Sequence, residues 1–123
     1  MILDTTFVID LLKGEKAAVK LAAELEEAPV STTSITVFEI FQGAKDSELA
    51  PIRKFFAQMT VLPLGHDEAE RGGLIQKQLK TTGKTIDPED CMIASIALEH
   101  KKKIVTRNGK HFEKIPGISV VTY

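Results

Sequence analysis

The segment Met1–Thr6, with the sequence MILDTT, places a short apolar run directly before a carboxylate and two hydroxyl groups. The apolar run predicts a buried strand that ends at Asp4, and residues 7–12 then have helical character. Short apolar strands alternate with helices along the rest of the chain, which predicts a parallel α/β sheet covered on both faces. The carboxyl ends of such strands form the crevice where ligands bind, so Asp4 is predicted to lie at a binding edge.

The same patterns predict the other elements. We expect further strands at residues 30–32, 60–62, 103–106 and 118–122, and helices at residues 16–27, 34–44, 47–59, 66–82 and 87–100. Pro29 is expected to end the second helix, and a short turn is expected around His111 and Phe112. The sequence contains no repeat, low-complexity tract or linker, so we expect one domain spanning residues 1–123.

Composition excludes several classes of protein. With 43% hydrophobic residues in 123, the chain can bury a core, and its 16 basic and 17 acidic residues argue against a polybasic binder. Cys91 is the single cysteine and can form no internal disulfide, which fits a reducing, cytoplasmic setting. No apolar stretch approaches the ~20 residues of a membrane span, and the N-terminus does not resemble a signal peptide.

Three later stretches also place polar groups where strands or loops give way to helices. Glu39 ends the stretch 36–39, Asp90 ends the stretch 87–90, and Thr106 and Asn108 follow a late strand. Carboxylates that converge at one edge repel one another, and a divalent cation offsets that repulsion. Oxygen ligands select a hard ion, so the sequence predicts an Mg²⁺ or Mn²⁺ site.

Each residue also has a purely structural interpretation. Asp4 can be a helix N-cap, and Glu39 can complete a capping box with Thr36. The apolar neighbours of Glu39 predict a helix buried nearly all round, however, and a buried Glu is rare unless it is paired or ligating. Asp87 and Glu89 are explained by capping and the helix dipole.

The remaining candidates divide between function and local structure. Asp90 begins a stripe predicted to be buried, where a carboxylate needs a partner. Asn108 can be a turn residue, and Thr106 can be a strand residue or can orient a carboxylate. Arg107 and Lys110 flank the crevice and can contact substrate phosphates. The three histidines share no metal-ligand spacing, so a zinc site is unsupported.

At these residues the chain resembles the PIN-domain family, and in particular the VapC-type toxin ribonucleases. The matching segments are residues 3–5 with 7–12, residues 34–39 with Gly43, residues 90–94, and residues 105–108 with Phe112. The resemblance implies a three-layer sandwich with a five-stranded parallel sheet in the order 3-2-1-4-5. It also implies Mg²⁺- or Mn²⁺-dependent endoribonuclease activity through Asp4, Glu39 and Asp90, a homodimer, and an inhibitory VapB-type antitoxin.

Two residues depart from the family pattern. Many relatives carry Asn where this chain has Thr6, and many carry Asp where it has Asn108. Asn brings no charge to neutralise a second cation, and Asp87 is a candidate substitute acid. The alternative function is therefore a weakly active or inactive RNA- or protein-binding module. An aspartyl-phosphate phosphatase is a weaker alternative, because its second Asp is absent at Thr6.

Overall fold

The computed structural model describes residues 1–25 and 30–123. Five parallel strands form one sheet in the order β3-β2-β1-β4-β5, which confirms the predicted topology. The strands are short: β1 (Ile2–Leu3), β2 (Ser31–Thr33), β3 (Thr60–Leu62), β4 (Ile104–Val105) and β5 (Val120–Val121). Because β1 is central, the residues that follow it lie between the ends of β2 and β4.

Helices connect these strands. They are α1 (Thr5–Leu12), α2 (Lys16–Glu24), α3 (Ser34–Gln42), α4 (Leu49–Phe56), α5 (His66–Thr81), α6 (Pro88–Glu99) and α7 (Gly109–Glu113). A 3₁₀ turn, Asp46–Glu48, precedes α4. No helix in the described ranges has the length and apolar character that a membrane crossing requires.

The core lies in two parts, one on each face of the sheet. Successive residues of a strand point to opposite faces, so Ile2 belongs to one apolar cluster and Leu3 to the other. Ile2 packs with residues of α6 and α7, whereas Leu3 packs with residues of α1, α3 and α4. The first cluster encloses the aromatic ring of Phe112, and the second encloses that of Phe7. The predicted three-layer sandwich is thereby confirmed.

Gly72 of α5 allows a close approach to α6. A Cβ atom at this position would lie 3.3 Å from Ser95 Oγ and 3.4 Å from the Cys91 carbonyl oxygen. Gly72 therefore allows α5 and α6 to pack closely, whereas Gly73 has no such contact among the described residues. The sequence pattern did not indicate this role.

Several predicted details were wrong. The second helix ends at Glu24, with Leu25 as its C-cap, and the predicted positions of Glu27 and Pro29 lie outside the described residues. The turn expected at His111 and Phe112 is the helix α7, whose five residues are too few to show a periodic pattern. Helix α3 is not buried all round, because the Phe38 side chain is 65% exposed and Glu39 is half-buried.

Candidate active site

Asp4 lies at the carboxyl end of the central strand and caps α1. Its Oδ1 accepts hydrogen bonds from the Phe7 amide at 3.0 Å and from Thr6 Oγ1 at 2.8 Å. Its Oδ2 accepts one from Thr106 Oγ1 at 2.5 Å. The residue is 3% exposed, and this burial raises the pKa of its carboxyl group, although the hydrogen bonds from Thr106, Phe7 and Thr6 oppose the rise. Capping and a role in the site are thus compatible for Asp4.

Thr106 orients the Asp4 carboxylate from the neighbouring strand. It is fully buried just after β4, and its Oγ1 also accepts a hydrogen bond from the Asn108 amide at 3.0 Å. Thr6 Oγ1 lies 3.3 Å from Thr106 Oγ1 and accepts a hydrogen bond from the Arg107 amide at 3.1 Å. The hydroxyl groups of Thr106 and Thr6 therefore hold the two oxygens of Asp4, and the structure favours the orienting role among the two that the sequence left open for Thr106.

Glu39 is held by the hydroxyl group of Thr5 rather than by a capping box. Its Oε1 accepts a hydrogen bond from Thr5 Oγ1 at 2.6 Å, and Thr5 Oγ1 lies 3.1 Å from Thr36 Oγ1. The N-cap of α3 is Thr33, whose hydroxyl accepts from the Thr36 amide at 3.2 Å. The capping-box interpretation of Glu39 was wrong because α3 begins two residues before Thr36. Thr5 of α1 instead connects Glu39 to the segment that carries Asp4.

Asp90 faces the same edge from the first turn of α6. Its side chain is 22% exposed, and His111 Nδ1 lies 3.4 Å from its Oδ2. Burial raises the pKa of Asp90 to about 6; His111 lowers it by charge attraction and hydrogen bonding, and the charges of Asp87 and Asp4 raise it. The contribution of Asp4 is the smallest of these, and it indicates that the two carboxyl groups lie within reach of each other's charge. The stripe that continues Asp90 along α6 is buried as predicted: Ile93, Ala94 and Ala97.

A cleft of about 290 Å³ opens beside Asp90 and is lined by Thr85, Ile86, Asp87, Asp90, His111 and Lys114. Asp87 occupies the N-cap position of α6, but its side chain makes no capping hydrogen bond, contrary to expectation. Asn108 likewise occupies the N-cap position of α7 without a side-chain capping bond. Neither side chain caps its helix, and Asp87 lines the cleft together with Asp90.

The two basic residues predicted at the crevice differ in their surroundings. Lys110 is exposed on α7. Arg107 is half exposed, and its Nη1 donates to Asp10 Oδ1 at 2.9 Å and to Oδ2 at 3.2 Å. Asp10 was not singled out in the sequence, because one Asp within a helical pattern resembles an ordinary solvated residue.

The donor set fits a hard divalent cation in its chemistry. Asp4, Glu39 and Asp90 offer oxygen ligands, and within residues 1–25 and 30–123 none of them forms an ion pair with Lys or Arg. Their ligand atoms do not all lie within 4.8 Å of one another, so they do not form a closed cage. The one group in the described ranges that meets this distance is His66, Asp67 and Glu70 of α5, which the sequence search missed. All three are exposed to solvent.

Known proteins are similar to this chain in sequence and in architecture. The sequence profile of the PIN domain matches residues 1–118. The chain belongs to the PIN-domain family. Ribonuclease VapC19 of Mycobacterium tuberculosis is 31% identical over 119 residues, covering 95% of each chain. The tRNA(fMet)-specific endonuclease VapC of Shigella flexneri is 31% identical over 121 residues, covering 94% of this chain and 92% of that protein.

Solved PIN-domain structures show the same fold. The DNA-bound VapBC structure from Salmonella typhimurium has a TM-score of 0.88 at 29% identity, covering 98% of this chain and 96% of that one. The VapBC2 structure from Rickettsia felis, bound to a promoter DNA fragment, has a TM-score of 0.87 at 21% identity and supports the fold alone. Relatives of this PIN-domain protein are named ribonucleases and endonucleases, so the chain is assigned to the nucleases.

Proposed function

We propose that this PIN-domain protein is a metal-dependent endoribonuclease, the toxin of a type II toxin–antitoxin pair, with residues 1–123 acting as one domain. The observation that carries the proposal is the placement of two largely buried carboxyl groups, Asp4 and Asp90, at one site. The two carboxyl groups come from distant parts of the chain, share one edge of the sheet, and have raised pKa values without a Lys or Arg partner in the described ranges. The ribonuclease names of the relatives support the reaction.

Asp4, Glu39 and Asp90 would hold the cation, directly or through its waters. Mg²⁺ and Mn²⁺ match the all-oxygen donor set. When bound, a divalent cation polarises a phosphoryl oxygen and lowers the pKa of a water molecule. The carboxylates of the protein would orient a water molecule at the site and accept its proton. Thr106 and Thr6 fix the Asp4 carboxylate, and Thr5 fixes Glu39, so the acids are oriented before substrate arrives.

Other residues at this edge of the sheet support the acids or contact the substrate. Asn108 and Asp87 are supporting groups beside the acids, with Asp87 in the wall of the cleft. Lys110 and the exposed part of Arg107 contact phosphates of single-stranded RNA, whose backbone is accessible in an open crevice. Their loss should raise KM and weaken the salt dependence of RNA binding.

Partners follow from the relatives. Solved relatives are VapBC complexes, so we propose a VapB-type antitoxin that inhibits this nuclease, and a homodimer as the assembly. Co-purification of the chain with the protein encoded beside it, followed by loss of RNA cleavage in the complex, would test the antitoxin. Sedimentation analysis of the isolated chain would test the dimer.

The function is tested by RNA cleavage with Mg²⁺, with Mn²⁺ and with EDTA. The RNA panel should include initiator tRNA, because one relative is named for that substrate. We expect cleavage with either metal and none with EDTA. Mn²⁺ binding without turnover on any RNA would support the binding-module alternative instead.

A further inference from the structure

Asp10 is a buried carboxylate outside the proposed metal site. It lies on α1, is 4% exposed, and accepts hydrogen bonds from Arg107 Nη1 and from the Tyr123 hydroxyl, the latter at 2.5 Å. The Tyr123 ring also packs edge-on against Phe7, with ring centroids 5.0 Å apart. These three residues, Asp10, Arg107 and Tyr123, are called the clasp below. The proposed function assigns no role to Asp10 or Tyr123.

The clasp acts on the segment that orients Asp4. Arg107 follows Thr106, whose hydroxyl donates to Asp4 Oδ2, and the Arg107 amide donates to Thr6 Oγ1. The segment after β4 therefore contacts α1 at two places. Asp4 and Thr6 bind it at the N-terminal end of α1, and Asp10 binds it toward the C-terminal end of that helix. A surface connection tied at both places loses less conformational freedom when the Thr106 bond forms.

We propose that Asp10 is a positioning residue for the metal site, acting through Arg107 to keep the Thr106 hydroxyl on Asp4. This inference rests on the proposed function. A charge-assisted hydrogen bond to a buried carboxylate is short and directional, so the clasp can fix the position of the Arg107 backbone. Tyr123 completes it by bonding the same Asp10 oxygen that Arg107 approaches at 3.2 Å. Arg107 is also proposed to contact RNA phosphates. That contact cannot affect a Mn²⁺ affinity that is measured without RNA.

The test is Mn²⁺ affinity of the RNA-free protein, measured by electron paramagnetic resonance of the unbound ion. Thr106→Val removes the hydroxyl and should weaken binding about tenfold, as loss of a partner that orients a ligand does. Asp10→Asn and Arg107→Met should weaken it roughly threefold to tenfold. Arg107→Lys should recover part of the affinity, because one nitrogen reaches both Asp10 oxygens in the native contact. Glu99→Gln is the matched control, since it breaks the exposed ion pair with Arg71 and should change nothing.

The double variant D10N/T106V decides whether Asp10 acts through Thr106. We expect it to bind Mn²⁺ no more weakly than Thr106→Val alone. Losses that multiply, or an unchanged affinity in Asp10→Asn, would overturn the proposal. Tyr123→Phe, which keeps the ring on Phe7, covers the case in which Asp10→Asn fails to fold, and it should weaken binding in the same direction. An unchanged affinity in Tyr123→Phe would then count against the clasp.

Hydrogen exchange of the Arg107 amide separates this inference from the proposed function. The amide bonds Thr6 Oγ1, so loosening the clasp should speed its exchange even without metal. If Asp4→Asn leaves Mn²⁺ affinity unchanged, the proposed metal site is wrong. Asp10 then has no effect on metal binding through Asp4. Faster exchange in Asp10→Asn would still show the positioning contact, whereas unchanged exchange would exclude it.

Discussion

Two groups of acidic residues lie near helix starts in this protein, and they differ in burial. Asp4 and Asp90 are largely removed from water and have raised pKa values. Asp67 and Glu70 lie with His66 at the start of α5, where the ligand atoms of the three residues are within 4.8 Å of one another but all three residues are exposed. Water already stabilises exposed charges, whereas buried charges need a partner. Desolvation, rather than short distance, therefore marks the group that gains most from a cation.

The largest expected effect comes from removing one charge at a time from the three proposed metal ligands. Asp4→Asn, Glu39→Gln and Asp90→Asn should each reduce RNA cleavage by more than about 100-fold, because each removes a proposed ligand rather than a residue that orients one. Cleavage assays with Mn²⁺ measure this, and circular dichroism confirms folding. Full activity in all three variants would reject the site.

Metal binding should also stabilise the fold. At a Mn²⁺ concentration of 100 times Kd, binding adds about 2.7 kcal/mol, which corresponds to a rise in Tm on the order of 10 °C for a chain of this size. Thermal unfolding with Mn²⁺ and with EDTA measures the shift. Asp4→Asn should lose it. A rise of the same size in that variant would place the ion elsewhere.

Mn²⁺ affinity should fall at acid pH. The pKa of Asp90 is raised to about 6, so protons compete with the ion below that pH, and the apparent Kd at pH 5 should be about tenfold weaker than at pH 7. Titrations at the two pH values measure this. An unchanged Kd would mean that Asp90 does not bind the ion.

The raised pKa of Asp90 also affects the stability of the metal-free protein, which should decrease as pH rises. The folded pKa lies above the ordinary value of 3.8, so the folded state binds more protons, and the stability from this group is lost as pH rises from about 4 to about 6. Asp90→Asn should remove that loss and raise Tm at pH 7 in EDTA by roughly 2 to 5 °C. The variant would be more stable and inactive.

Placing an acid at residue 108, where many relatives carry Asp, should have a smaller effect on metal binding. Asn108→Asp adds a negative charge near Asp4 and should tighten Mn²⁺ binding roughly threefold to tenfold, while lowering metal-free stability through repulsion. Calorimetric titration measures the affinity. An unchanged affinity would show that residue 108 lies outside the reach of the ion.

The smallest effect is expected at the exposed group. The double variant D67N/E70Q should leave cleavage and Mn²⁺ affinity within experimental error of the wild type, because solvent screens those charges. A loss of activity comparable to that of Asp4→Asn would reverse the assignment of the two groups.

Local sequence patterns were enough to predict much of the fold and to identify Asp4, Glu39 and Asp90 as candidate site residues. Alternation of apolar strands with helices predicted the covered parallel sheet, and the family resemblance supplied its order. The stripe of α6 predicted that Asp90 faces inward, because helical periodicity depends only on neighbouring residues. The start of α3 at Ser34 was predicted, but the sequence left open a capping box of Thr36 with Glu39, since several hydroxyl residues between 31 and 36 can cap equally well.

The sequence by itself determined the kinds of element and the residue types at the edge of the sheet. Only the tertiary structure decided what each acid contacts: Thr106 on Asp4, Thr5 on Glu39, and Arg107 with Tyr123 on Asp10. These contacts join residues separated by 34 to 113 positions, and no local periodicity encodes such pairs. They form because parallel packing brings the ends of distant strands to one edge, where burial makes each unpaired oxygen costly.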